Sequence, residues 1–311
     1  MTVIFVQNSD LKNTVEDILN KIKDKEKLSL KTSGTTGIPK TIIQDITKAL
    51  DKKRGGLEGD LWLLTYSPER WAGISVLLHC YKFNSTVVIP KDLSFDSLVE
   101  AAYIYKITHI SLTPSMFRNI LLLNAELLRQ VPLKQITFGG EYTTQEIIDT
   151  AKRLWSTARV THTYASTEVG DICSVSDGLE GIPNYKFSKY SFSENDELII
   201  DGYNTCDIWK LREGRYYFFG RVQEIINVGG NKVSPIFVET KAIECGVKIA
   251  RAYSIESPIL GSVVGLDYVG DIEQKQLLSL LRKNLPKYAC PCQINKVEQL
   301  ELSKAGKMKR L

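Results

Sequence analysis

The sequence is short of the residues that mark several functional classes. Its three histidines, His79, His109 and His162, are isolated in sequence and read as packed or hydrogen-bonded rings rather than metal ligands. Its six cysteines are scattered. Only Cys290 and Cys292 are close, as C-P-C, which suits neither a zinc site nor a C-x-x-C redox pair. No signal peptide and no bilayer-length apolar run is present, so the thiols read as reduced and the expected location is cytoplasmic, off the membrane. Neither charge sign is in excess: 40 basic residues face 36 acidic ones, a net +4, too balanced to imply a nucleic-acid partner. Short runs such as KIKDKEK (21–27) and DKKRG (51–55) read as solvated helix faces.

What is present is ordinary globular usage, 43% apolar and 24% charged, in a chain long enough for two units. β-rich runs alternate with helical patterns: VIFV (3–6), a helix with Val15, Ile18, Leu19 and Ile22 on one face opened by Asn13, LWLLTYS (61–67), a helix over 71–82, and TVVIP (86–90). The rhythm continues through THISL (108–112), a helix with Pro114 in its first turn, QITFGG (135–140), a helix to Trp155 and RVTHTYAS (159–166). It predicts βαβ crossovers and a mostly parallel sheet. Ligands of such sheets sit at the carboxyl ends of the strands, so the loops after residues 31, 67, 112, 138 and 164 are the candidates. After residue 170 hairpins follow, turning at Glu194-Asn195-Asp196 and Glu213-Gly214, and then a small α+β unit with helices near 235–245 and 272–285. The expected fold class is α/β, with a large N-terminal domain of mostly parallel sheet plus a short β-hairpin region, residues 1–222, and a small C-terminal α+β domain, residues 223–311.

The stretch LKTSGTTGIPKTI (30–42) gathers hydroxyls, glycines and a lysine between apolar flanks. It is not a Walker A loop, because Pro39 precedes the lysine, and it lacks G-x-G-x-x-G spacing. Composition leaves two readings open, a plain surface loop or a cradle of N–H groups and hydroxyls for phosphate oxygens with Lys40 as the cation.

Five stretches occur in order: TSGTTGIPK (32–40), YASTE (164–168), YNTCD (203–207), GRVQEIINVGGNKVSPIFVE (220–239) and LSKAGKMKR (302–310). Together they resemble the signatures of the adenylate-forming superfamily of acyl-CoA synthetases, non-ribosomal adenylation domains and luciferases. THISLTPSMFRNIL (108–121) and ITFGGEYTT (136–144) are most similar to the connecting segments of o-succinylbenzoate–CoA ligases. The resemblance implies an ATP- and Mg²⁺-dependent acid–thiol ligase. A carboxylic acid is activated as acyl-AMP and then passed to the thiol of coenzyme A or a carrier-protein phosphopantetheine. It implies that Thr32, Ser33, Gly34, Thr35, Thr36 and Lys40 hold the β- and γ-phosphates, that Thr167 meets the α-phosphate, and that Glu168 ligates the metal. Tyr164 would stack on adenine, Asp207 and Arg221 would take the ribose, and Gly140 and Glu141 would line the nucleotide site. Lys307 would bridge carboxylate and α-phosphate in the first step. Rotation of a mobile C-terminal domain about Gln223 would then bring the Gly229–Gly230 loop to the pantetheine. At the pocket helix, Arg70 would either pair with a second carboxylate on the substrate or stand exposed, and Trp71, Gly139, Gly140 and Ser166 would wall a pocket that suits an aromatic or medium-sized acid.

The sequence departs from the pattern at Ala165 and Cys206, where the family has glycine, at Gln223, and at Glu301, where it has proline. Glycine serves where φ is positive or a backbone must approach closely. The phosphate motif also comes unusually early, as in an N-terminally shortened member, so a layer that normally covers one sheet face is expected from a homodimer or from shorter local cover. Two other readings fit a shortened member: a nucleotide-binding regulatory module, or a catalytic subunit completed by a partner protein. Lys307 and Glu168 argue for catalysis.

Overall fold

Short β-branched runs become the strands of a seven-stranded sheet, seen in a computed structural model that describes residues 1–32, 40–303 and 306–308, the side chains of 31, 32 and 40 excepted. The chain divides into two compact units, Met1–Glu180 with Lys304–Lys307, and Gly181–Ser303 with Met308–Leu311. In the first, the order along the chain is β1 (Thr2–Phe5), α1 (Lys12–Lys23), β2 (Lys27–Thr32), β3 (Lys40–Asp45), α2 (Ile46–Lys52), β4 (Leu61–Leu63), α3 (Trp71–Lys82) and β5 (Thr86–Ile89). There follow α4 (Phe95–Ile104), β6 (His109–Leu112), α5 (Pro114–Arg129), β7 (Gln135–Phe138), α6 (Gln145–Leu154), β8 (Arg159–Ser166) and β9 (Gly170–Val175).

The sheet order is β1-β5-β4-β6-β7-β8-β9, parallel except for the antiparallel β8–β9 edge. The chain moves from β4 outward to β5, then returns past β4 to β6. Right-handed crossovers in opposite directions place their helices on opposite faces. The loops after β4 and β6 therefore diverge, and a crevice opens between them at the carboxyl ends of the strands.

One face is packed by α1, α2, α3 and β2, whose Val15, Ile18, Leu19, Ile22, Leu28, Leu30, Ile46 and Leu77 meet Trp62, Leu64, Val87 and Ile89 of the sheet. Fully burying each such side chain is worth about 1.5–3 kcal/mol. Gly73 lets α3 seat there, because a Cβ at this position would collide with the Ser67 carbonyl. On the other face Phe117 of α5 packs edge-on against Phe138 of β7, ring centroids 5.1 Å apart. Across β6–β8 the register aligns Ser111, Thr137 and Thr161 on the α3 side. Hydroxyl residues thus stand there in place of aliphatic ones.

Three expectations are corrected. Helix α1 is capped at Leu11, with no side-chain cap bond, rather than at Asn13. Strands β2 and β3 form a separate antiparallel hairpin rather than a strand of the parallel sheet. The run 51–55 is not wholly solvated, because Lys53 is 6% exposed and paired with Asp171.

The second unit begins with β10 (Ile182–Pro183), β11 (Ser191–Phe192), β12 (Glu197–Ile200), β13 (Tyr203–Arg212) and β14 (Arg215–Arg221), an antiparallel sheet ordered β10-β14-β13-β12-β11. Phe187 fills its centre, edge-on to Trp209 at 5.2 Å. The β13–β14 turn has positive φ at both Glu213 and Gly214, the pattern of a hairpin turn that matches strand twist. A 3₁₀ turn, Val222–Glu224, leads to β15 (Ile226–Val228), β16 (Asn231–Val233), α7 (Pro235–Glu244), β17 (Ile249–Ser257), β18 (Gly261–Val269), α8 (Gln274–Asn284) and β19 (Gln293–Lys296). These strands form the sheet β16-β15-β18-β17, with β19 parallel to β18. Val238, Ala242, Leu277 and Leu281 of the two helices bury against Leu266 and Tyr268. Among the described residues, no helix is long and apolar enough to cross a membrane.

At the amino-terminal edge of the first sheet, Trp62 lies between His79 and His109, ring centroids 4.9 and 5.0 Å away. Burial, aided by the Lys53 cation, pulls His79 from its ordinary value near 6.5 to about 4, and burial lowers His109 as well. Above pH ~6.5 both states of each ring are neutral; below it the unfolded chain takes protons that the folded chain refuses, so stability is lost as pH falls from 6.5 towards 4. The expected slope approaches ~1.4 kcal/mol per pH unit for His79, and His109 adds to it in the same direction. Urea unfolding at pH 7.5, 6 and 5 measures it, and His79→Phe should flatten the slope. A midpoint constant across that window contradicts this account.

Candidate active site

The crevice is bordered by loops after β4, β6 and β7 and by the β8–β9 turn. Thr113, which follows β6, caps α5: its Oγ1 accepts from the Met116 N–H at 3.0 Å, and its hydroxyl donates to the Gly306 carbonyl. Gly306 has φ +69°, and a Cβ there would collide with the Met116 sulfur. That fit brings the next residue, Lys307, to the β7 loop. A Cβ at Gly140, itself at φ +80°, would lie 3.1 Å from Lys307 Cε and 3.9 Å from Nζ. Two sequence-predicted residues, Gly140 and Lys307, are therefore neighbours. Glu141 is engaged at the head of α5, where its carboxylate accepts from the Ser115 N–H at 2.9 Å and from the Ser115 hydroxyl at 3.0 Å. Tyr66, after β4, is buried, and burial holds its phenol protonated well above the ordinary range.

The β8–β9 hairpin brings Tyr164, Thr167 and Glu168 together. Tyr164 pairs with Cys173, a register shift follows, and Ala165 and Ser166 pair with Asp171 and Gly170. Ala165 is an extended strand residue and has no positive φ, so no glycine is required there. Thr167 and Glu168 lie in the turn, closed by the Val169 N–H donating to Ser166 Oγ at 3.1 Å. Trp71, the first residue of α3, rests near Gly170: a Cβ there would be 3.3 Å from the indole. Its N–H donates to Asp171 at 3.3 Å. Thr32 and Lys40 close the ladder of β2 and β3 as a backbone pair. Ser33, Gly34, Thr35 and Thr36 lie outside the described residues.

In the second unit Asp207 is 2% exposed and accepts from Arg221 Nε at 2.8 Å, the two being opposite each other in the β13–β14 ladder. Cys206, just before it, has φ +58°. The residue at the motif's glycine position thus takes the left-handed backbone that favours glycine. Gly229 and Gly230 form the β15–β16 turn with φ +55° and +87°, and Gln223 sits in the 3₁₀ turn before β15. Sequence reasoning missed Thr113, Lys53 and Asp171; only the T-P start of α5 carried a signal for the first.

Residues 30–189 match the AMP-binding enzymes as a family. The chain belongs to the AMP-binding enzyme family. It is 26% identical over 324 residues to a 2-succinylbenzoate–CoA ligase of Staphylococcus epidermidis, covering 90% of this chain and 67% of that protein. Among solved structures, the amide bond synthetase McbA of Marinactinospora thermotolerans superposes with a TM-score of 0.72 at 19% identity, covering 88% of this chain and 66% of that one. The o-succinylbenzoate coenzyme A synthetase MenE of Bacillus subtilis, in complex with ATP and magnesium ion, does so with a TM-score of 0.67 at 20% identity, covering 90% and 68%. The chain thus spans about two thirds of the length of these relatives, and the resemblance read from its motifs is borne out at the level of family and fold.

For this AMP-binding chain, Cys206 makes a local prediction. A side chain in the left-handed region costs roughly 1–2 kcal/mol, partly offset by the ~0.5–1 kcal/mol that glycine loses in chain entropy. Cys206→Gly should therefore stabilise the protein by about 0.5–1 kcal/mol, read as a higher urea midpoint at unchanged m. A lower midpoint would show that the thiol contributes packing that outweighs the backbone term.

Proposed function

We propose that this chain is an ATP-dependent acid–thiol ligase acting through an acyl-AMP intermediate, with an aromatic or medium-sized carboxylic acid as substrate and coenzyme A, or a carrier-protein phosphopantetheine, as acceptor. The observation that carries this reading is Lys307 beside Gly140 at the carboxyl end of the parallel sheet. The names of the similar ligases support it.

In the first step a carboxylate oxygen of the acid bonds to the α-phosphorus of ATP, and the bond to the departing pyrophosphate breaks. Charge accumulates on the α-phosphoryl oxygens, where the Lys307 ammonium and the Thr167 hydroxyl supply fixed, pre-oriented partners. Glu168 is a half-buried carboxylate, a hard oxygen donor of the kind Mg²⁺ takes together with phosphates. The ion would supply neutralisation of the leaving pyrophosphate. Thr32, Ser33, Gly34, Thr35, Thr36 and Lys40 are assigned to the same β- and γ-phosphates. Tyr164 is assigned to adenine. Asp207, held by Arg221, accepts the ribose hydroxyls, as a carboxylate should. In the second step the acceptor sulfur attacks the acyl carbon and AMP leaves, with Gly229 and Gly230 assigned to the pantetheine.

Lys307→Ala should depress acid-dependent pyrophosphate exchange by several orders of magnitude while thioester formation from supplied acyl-AMP stays largely intact, since the cation serves only the first transition state. Equal losses in both half-reactions would assign the lysine a structural role. No exchange by the wild-type chain with any acid in a panel, alongside retained ATP binding, would leave a nucleotide-binding module instead.

For the assembly we propose a homodimer, supported by the rule that parallel sheets are covered on both faces, with α1–α3 packing on the β1–β5–β4 part of one face. Light scattering at micromolar concentration tests it, and a strictly monomeric, active chain sinks it.

A further inference from the structure

The segment leaving the phosphate-motif hairpin is tied to the β8–β9 turn at three successive points. Gln44 of β3 donates through Nε2 to the Thr167 carbonyl. Lys52, at the end of α2, donates to the Val169 carbonyl at 3.2 Å. Lys53 pairs with Asp171 at 2.7 Å and also donates to Ser75 Oγ on α3. The other Asp171 oxygen accepts from the Trp71 indole. The ties bracket Glu168 on both sides.

Stability alone does not account for Lys53. Removing an ammonium from water costs several kcal/mol, and a buried ion pair is often no better than a packed apolar side chain of the same volume. What the pair provides is direction. Two carbonyls of a half-buried turn and the carboxylate that follows it are held by one short stretch, Gln44–Lys53, continuous with the strand that starts at Lys40. Strand β3 with the α2 segment that follows it, and the turn carrying Glu168, are thereby registered to each other.

We propose that Lys53 is a positioning residue for the Thr167–Glu168 turn: through Asp171, and together with Gln44 and Lys52, it fixes Glu168 relative to β3 and α2, and so sets how tightly the Mg²⁺ complex of ATP is held. This rests on the acid-activation reading, in which Glu168 is the metal ligand. Lys53 touches neither nucleotide nor metal in this scheme.

The test uses the full chain and two variants. Lys53→Met removes the tie. Lys53→Met with Asp171→Asn also removes the carboxylate charge left behind, keeps an acceptor for the Trp71 indole, and serves where the single variant does not fold. Partners of metal ligands commonly change metal affinity 10–100-fold. Either folded variant should therefore need about tenfold more Mg²⁺ for half-maximal pyrophosphate exchange, with the KM for the acid within about threefold. The rise in melting temperature produced by Mg²⁺ with ATP, relative to ATP with a chelator, should shrink in parallel, and this readout needs no turnover. A folded variant with a wild-type Mg²⁺ titration and a full ligand-induced shift overturns the proposal, even if kcat and stability fall. Absence of exchange in the wild-type chain with every acid would instead count against the proposed function, while the thermal readout still decides the role of Lys53.

Discussion

The reversal of strand order between β4 and β6 is the constraint on which the rest of the first unit depends. Because β5 lies on one side of β4 and β6 on the other, handedness sends α3 to one face and α4, α5 and α6 to the opposite one. The loops after β4 and β6 cannot both close over the strand ends. The crevice left between them is a consequence of connectivity, and the loops that border it carry Thr113, Gly140 and, along the same edge, Thr167 and Glu168. The strands beneath are rigid: Leu63, Val87, Val88 and Ile89 are fully buried. Side chains on a rigid edge can be held to the tolerance that in-line displacement at phosphorus requires.

The second unit applies the same economy to one residue. Asp207 is buried with Arg221 facing it across the ladder, and the Asp207 N–H donates to the Thr205 hydroxyl at 3.2 Å. The register shift between Ile208 and Trp209 and the left-handed backbone at Cys206 flank it on either side. Local irregularity in an otherwise regular hairpin is concentrated around the carboxylate proposed to take the ribose, and functional sites are where such strain is commonly stored.

Much of this was legible from local pattern. The helix over 71–82 and the Pro114 start of α5 follow from periodicity and proline chemistry, and each depends on residues within one or two turns. Of the two motif positions where glycine is replaced, Cys206 has a left-handed backbone and Ala165 an extended one, so only the first was legible as a backbone requirement. Asn13 with Glu16 had the residue types of a cap, yet α1 starts earlier; the pattern names a possible bond, and packing decides whether the helix begins there. The loop after residue 31 read as one of those at the strand ends of the parallel sheet, because a local run marks a strand and says nothing of its partner. Ser111, Thr137 and Thr161 form a row only after two crossovers have set the register, so no window of sequence contains it.

Lys52 and Lys53 show where local reading stops. Adjacent, chemically identical and inside one basic run, they differ in everything that matters: Lys52 is exposed and Lys53 is buried. The difference comes from Asp171, 118 residues away, and from Ser75 on a helix that packs against α2. A charge count assigns both to solvent. Burial of a cation is favoured only where a partner is already fixed, and Asp171 is fixed because β9 is an edge strand ending the sheet and Trp71 holds its second oxygen. The order of causes therefore runs from sheet to edge strand, to carboxylate, to lysine. A buried lysine that a methionine would match in volume is kept, on this reasoning, for the direction it imposes on its neighbours rather than for the stability it adds.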